Sequence, residues 1–123
     1  MILQDKVLDT KCQLYSDIPS AHKVNLYGDI NMVSGIPWPN MNLMPKWYRF
    51  RFLDASVSRS YILKVKDSTL KDVHQDVCKV IGNDGGYRSD PVAIPLSGLL
   101  IGVAERYDVV CDFTSFQSQT LYL

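Results

Sequence analysis

The chain reads as an all-β protein, an antiparallel β-sandwich formed as one domain over residues 1–123. Three observations predict this. Lys46 to Leu53 alternates, with Tyr48, Phe50 and Phe52 on one face and Trp47, Arg49 and Arg51 on the other. A helix would scatter those three aromatics around its circumference. Roughly seven or eight short apolar runs recur at turn-punctuated intervals, the spacing of sandwich strands. Pro37 and Pro39, and the Asn83-Asp84-Gly85-Gly86 reversal, fall where such a fold needs breaks.

Taken in order, Met1 to Leu8 reads as an opening strand. A polar linker from Ser16 to Lys23 precedes a second strand, Asn25 to Val33. Pro37 and Pro39 cannot donate to a ladder, so the Trp38 loop is placed at a sheet edge or between strands. After the alternating strand, Ser60 to Val65 reads as its hairpin or corner partner. Asp67 to Asp76 is polar, with Leu70 and Val73 at helical spacing, and reads as a helical turn or a loop. Val77 to Gly82, Val92 to Ile101, Tyr107 to Phe113 and Thr120 to Leu123 complete the strands. Asn83-Asp84-Gly85-Gly86 tolerates positive φ and marks a sharp reversal.

Composition narrows the function. Thirteen basic residues balance thirteen acidic ones, so no global field favours nucleic acid or an anionic membrane. No apolar run approaches the roughly 20 residues of a bilayer span. Met1 to Asp5 reaches a charge at once, without a secretory apolar region. Cys12, Cys78 and Cys111 are odd in number and give no disulfide framework. Cys111 reads as a small core or surface-strand residue, with pairing or a reactive thiol as the alternatives.

The residues for metal or nucleophilic chemistry do not cluster. His22 and His74 are the only histidines, no His-x-His pair occurs, and Cys111 is flanked by Val110 and Asp112. A redox-active copper centre demands converging imidazole and thiolate ligands. His74 and Cys78 have a chelating spacing only on a helix; they read as a loop histidine near a strand cysteine. No further zinc ligands lie near them. Asp5, Asp9, Asp17 and Asp29 show no calcium-loop pattern. No nucleophile elbow or phosphate-binding loop is present.

The remaining charged residues suit structural roles. Arg59 sits at a strand corner, and Glu105-Arg106 at a turn between two apolar runs. A guanidinium fork can bond several carbonyls or a carboxylate at once. Either arginine would tie a loop through Asp54, Asp84 or Asp112, or else remain a solvated surface residue. Trp38, Pro39 and Met41 read as a plug against a neighbouring domain, with a substrate rim as the alternative.

Two ordered blocks also carry a family resemblance. SGIPWPNMNLMPKWYRFRFLDASVSRSY spans Ser34 to Tyr61. It resembles an N-G-x-x-W-P element followed by P-R-K-Y-R-F-R, then leucine, Asn or Asp, alanine and a Ser-Arg pair. VIGNDGG from Val80 and GVAERYDVVCDF from Gly102 resemble V-I-G-S-D-G-G and A-P-G-E-R-A-D-V-I-V-D-F. These are motifs of the multicopper oxidases, in the bilirubin-oxidase and spore-coat-laccase group, and specifically of their middle domain. Trp38, Pro39, Arg49, Arg51, Asp54, Arg59, Asp84, Gly85, Gly86, Glu105, Arg106 and Asp112 are the motif residues carried over, as structural rather than catalytic positions.

The resemblance implies a cupredoxin-like Greek-key sandwich. It implies a parent enzyme oxidising phenolic or pyrrolic substrates at type 1 copper and reducing dioxygen to water at a trinuclear cluster. In that family the copper ligands come from the first and third domains. This chain would then hold no copper, no catalytic residue and no cofactor, and would space its two partner domains. The parent would be secreted or associated with a cell or spore surface. Both ends read as cut inside a strand, so the sandwich is expected to be truncated. A stand-alone interaction module that has lost catalysis is the alternative.

Overall fold

The computed structural model describes residues 1–14 and 26–123. The Ser16–Lys23 linker, His22 and Asn25, where the second strand was expected to begin, lie outside the described residues. The elements are β1 (Ile2–Lys6), β2 (Ile30–Val33), β3 (Ile36–Pro37), β4 (Trp47–Asp54), β5 (Tyr61–Leu63), α1 (His74–Val77), β6 (Cys78–Asn83), β7 (Gly86–Ala93), β8 (Leu99–Ile101) and β9 (Arg106–Asp112). The all-β expectation holds.

Two open sheets face each other. The larger has seven strands in the order β3-β2-β1-β4-β9-β6-β7, and the smaller pairs β5 with β8. One pairing departs from the antiparallel expectation: β1 runs parallel to β4. The cause is the connection from β3 to β4, a crossover rather than a turn, which delivers β4 pointing the same way as β1. Their contact is short, only Ile2 opposite Leu53 and Leu3 opposite Asp54.

Three other expectations need correction. Val92 to Ile101 is not one strand, because Pro95 and Gly98 close a turn (Gly98 N–H to Pro95 C=O, 2.8 Å) with Gly98 at φ +99°. The chain thereby leaves β7 in one sheet and enters β8 in the other. Ser60–Val65 follows a corner and pairs with β8, not with β4. Thr120–Leu123 contributes a single bridge, Tyr122 to Lys66. In the polar segment after β5, Lys66 bridges Asp72 and only His74–Val77 is helical.

The core lies between the sheets. Leu3, Phe52, Val80 and Val109 from the large sheet, with Phe113 just past β9, meet Leu99 and Ile101 from the small one. The face assignment of β4 is correct, but burial grows along the strand. Tyr48 and Phe50 are half-buried, and Phe52 is buried. Cys111 is indeed a core residue, and it is also bonded: a disulfide joins it to Cys78, directly opposite on β6. Cys12 is free and exposed.

At the outer edge β7 meets β6 at both ends but not in the middle. Val80 pairs with Val92 and Gly82 with Tyr87, so Ile81 faces the four residues Arg88 to Pro91. This bulge, with a proline and two charges, makes a poor template for another strand.

Candidate functional site

The motif residues resolve into three latches and one exposed arm. The first latch is Arg59. Its Nε donates to Asp5 Oδ2 at 2.8 Å, its Nη2 donates to the Gly28 carbonyl at 2.8 Å, and its guanidinium lies 5.3 Å from the Tyr27 ring centre. Of the two readings left open for Arg59, the contacts are those of a loop tie, through Asp5 and not through Asp54, Asp84 or Asp112. The corner after β4 carries it back over β1. Asp5 is buried and also accepts the Gly28 N–H at 2.6 Å.

The second latch holds the β6–β7 turn. Asp84 (φ +46°) and Gly85 (φ +92°) occupy the two central positions, both left-handed, of a tight hairpin. Asp84 Oδ1 accepts the Arg106 N–H at 3.0 Å, the Asp84 N–H donates to the Arg106 carbonyl at 3.0 Å, and the Arg106 guanidinium lies 3.7 Å from the same carboxylate. Gly82 is required at the neck, since a Cβ there would sit 2.5 Å from the Gly86 oxygen. Glu105 closes its own turn by accepting the Gly102 N–H at 2.7 Å. That turn docks on β4, with the Ala104 N–H donating to the Asp54 carbonyl at 2.9 Å. Asp54 is fully buried; one carboxylate oxygen accepts the Ser56 N–H and the other has no partner among the described residues. Asp112 accepts the Thr114 N–H, ending β9.

The third latch lies on the outer face of the large sheet. Arg49 forks onto Asp108 (Nε to Oδ1, 2.8 Å) and donates to the Tyr87 hydroxyl at 2.7 Å, joining β4, β9 and β7. Arg51 stands nearby, 3.9 Å from the same carboxylate and mostly exposed. Beside them runs an open groove of about 510 Å³ lined by Arg51, Arg106, Tyr107, Asp108 and the Gly82–Tyr87 hairpin. Asp108, Tyr87 and Asp5 were missed in the sequence. Only Asp108 left a local signal there, as the polar, outward neighbour of Val109 in an alternating run.

Trp38 and Pro39 belong to an arm from Ser34 to Trp47 in which every residue is exposed. Trp38 is 70% accessible, at φ +39°, and Ile36, Met41, Leu43 and Met44 are exposed beside it.

These latches make stability depend on acid. Burial pushes the Asp5 carboxyl up, but hydrogen bonds from Arg59, the Gly28 N–H and Ser56 bring it below its ordinary 3.8. Arg49 lowers Asp108, and Lys64 and Lys66 hold Asp72 at about 2. Each depressed carboxylate contributes stability above its unfolded pKa that is lost as pH falls through the folded one. The urea midpoint should therefore be level from about pH 7 to 5 and drop between about pH 4 and 2. A midpoint still level at the acid end would show that these carboxylates are not held.

Among the described residues, Cys78, Cys111 and His74 are engaged in ways that do not fit a copper centre. Cys78 and Cys111 are consumed in the disulfide. His74 is buried, with Nε2 3.0 Å from the Pro95 carbonyl oxygen, so the expected loop histidine is in fact a packed core residue at the start of α1. Among the described residues no group of three or more His, Cys, Asp or Glu converges.

No family model matches the chain. Individual relatives do. The bilirubin oxidase of Albifimbria verrucaria is 43% identical over 99 residues, 80% of this chain and 17% of that protein. A laccase of Bacillus stratosphericus is 36% identical over 110 residues, 88% of this chain and 20% of that protein. The fold agrees: the McoA multicopper oxidase of Aquifex aeolicus superposes with a TM-score of 0.86 at 31% identity, covering 99% of this chain and 25% of that one. The chain belongs to the multicopper oxidase family. Its fold is the cupredoxin-like sandwich of that family, and it spans about a fifth of the length of the curated relatives it matches. The arginines and acids of this multicopper oxidase stretch hold its loops and corners in place.

Proposed function

We propose that these 123 residues act as the middle cupredoxin-like domain of a laccase- or bilirubin-oxidase-like enzyme, a spacer that binds no copper itself. The observation that carries the reading is the fate of the donors: two of three cysteines are cross-linked and His74 is packed against a carbonyl. Arg49, Arg59, Asp84 and Arg106 go to latches instead, which stiffen a body able to set a distance. In this reading the copper sites and the phenolic or pyrrolic substrate belong to the first and third domains, where dioxygen is reduced to water. The exposed Trp38 arm is then a plug against one of those domains. A buried disulfide supports maturation in an oxidising compartment, in keeping with a secreted or surface-associated parent.

The test is copper loading. The purified chain, incubated with copper and dialysed, is expected to retain no stoichiometric metal and to stay colourless. An intensely blue, stoichiometric species would overturn the assignment. Sequencing the reading frame to either side tests the spacer role: His-x-His motifs on both flanks are expected, and a frame confined to these residues favours the stand-alone interaction module.

A further inference from the structure

The two sheets differ in what they show outward. The outer face of the large sheet bears Arg49, Arg51 and Asp108, a charged surface suited to water. The outer face of β5 and β8 bears Ile62 and Leu100, directly opposite each other and each 61% accessible. Leu96, 75% accessible, stands on the turn leading into β8. Both strands are apolar on both faces, since Leu63, Leu99 and Ile101 fill the inside. Strands that are apolar on both faces belong to sheets covered on both sides.

Gly98 abuts Ile62 so closely that a Cβ there would lie 2.6 Å from its Cγ2. Lys64, just past the end of β5, is engaged by Asp72 at 2.8 Å. An apolar centre with its charges neutralised is the make-up of an interface core.

The geometry points to the β5–β8 outer face as a second docking surface, separate from the Trp38 arm, whose occupant is a neighbouring domain of the same polypeptide. This rests on the spacer reading and adds to it where a partner sits. The length of the relatives favours that occupant over a second copy, because about four-fifths of the bilirubin oxidase and laccase chains lies outside the matched stretch. A tethered neighbour also needs no high intrinsic affinity, since the linker supplies its concentration. A spacer that held one partner only by its arm would leave the other unplaced.

Hydroxyl-radical footprinting tests this on two proteins: the 123-residue chain, and the polypeptide encoded by the continuous reading frame that contains it. Ile62, Leu96 and Leu100 should be labelled in the chain and protected about threefold or more in the longer polypeptide, as expected for an interface core. Tyr87, on the charged face, should be labelled in both. Copper content is measured on the same samples. Full copper with Ile62 and Leu100 still labelled overturns the docking surface and leaves the spacer reading standing. Protection without copper overturns the spacer reading alone. Protection in the 123-residue chain that rises with concentration, with a dimer in sedimentation that Leu100→Glu abolishes, assigns the face to a second copy and overturns the proposal. A frame confined to these residues, monomeric and labelled at all three positions, overturns it as well.

Discussion

Phe52→Ala is expected to lower the stability of the chain by about 3–5 kcal/mol, the usual cost of emptying a buried aromatic site. Phe52 is 5% accessible, packs 6.1 Å from the Phe50 ring centre and lies where the large sheet faces the small one. Its neighbours are strands paired on both sides, so the cavity cannot collapse easily. Phe50→Ala should cost less, since Phe50 is only half-buried, and Arg49→Ala less again, since its ion pair is partly solvated. Urea melts of the three variants would check the order. A larger loss at Arg49 than at Phe52 would mean that the inward face of β4 is the opposite one.

Removing the Cys78–Cys111 disulfide is the second large effect. The bridge closes a loop with a sequence separation of 33, which the chain-entropy relation converts to about 3–4 kcal/mol. It joins the central strand β9 to β6, so the unfolded chain loses freedom across the hairpin and small-sheet segments between them. Comparing Cys78→Ala/Cys111→Ala with the oxidised parent by chemical denaturation gives the number, with Cys12→Ser in both backgrounds to prevent mispairing. Equal midpoints would show that the bridge does not form in solution.

Much of the fold was legible because it was written locally. The alternation in Trp47–Leu53 and the Asn83–Gly86 reversal each depend on neighbouring residues, and both are where the sequence placed them. The features that were missed are long-range. The Arg59–Asp5 pair spans 54 positions, and nothing near Arg59 distinguishes Asp5 from Asp54 as its partner. The disulfide follows from the register that sets Cys78 opposite Cys111, which spacing alone does not reveal. Val92 to Ile101 reads as one apolar stretch, and the change of sheet at its Pro95–Gly98 turn is a long-range feature that the local pattern does not carry. As for the candidate site, Arg106 meets Asp84, one of the acids named for it, whereas Arg59 meets Asp5, which was not named.

The brief β1–β4 contact divides the large sheet into two hydrogen-bonded blocks, β3-β2-β1 and β4-β9-β6-β7. Cooperative opening units tend to follow such blocks, so the protein should come apart along this line before either half melts. The Arg59–Asp5 pair straddles it, one partner in each half, and serves as a clasp. Protection factors in β1–β3, taken against the intrinsic exchange rate at each pH, should therefore fall on acidification or in Arg59→Gln while β9 and β6 keep theirs. A sheet that looks continuous would then behave mechanically as a hinged pair of panels, with a carboxylate as the fastening.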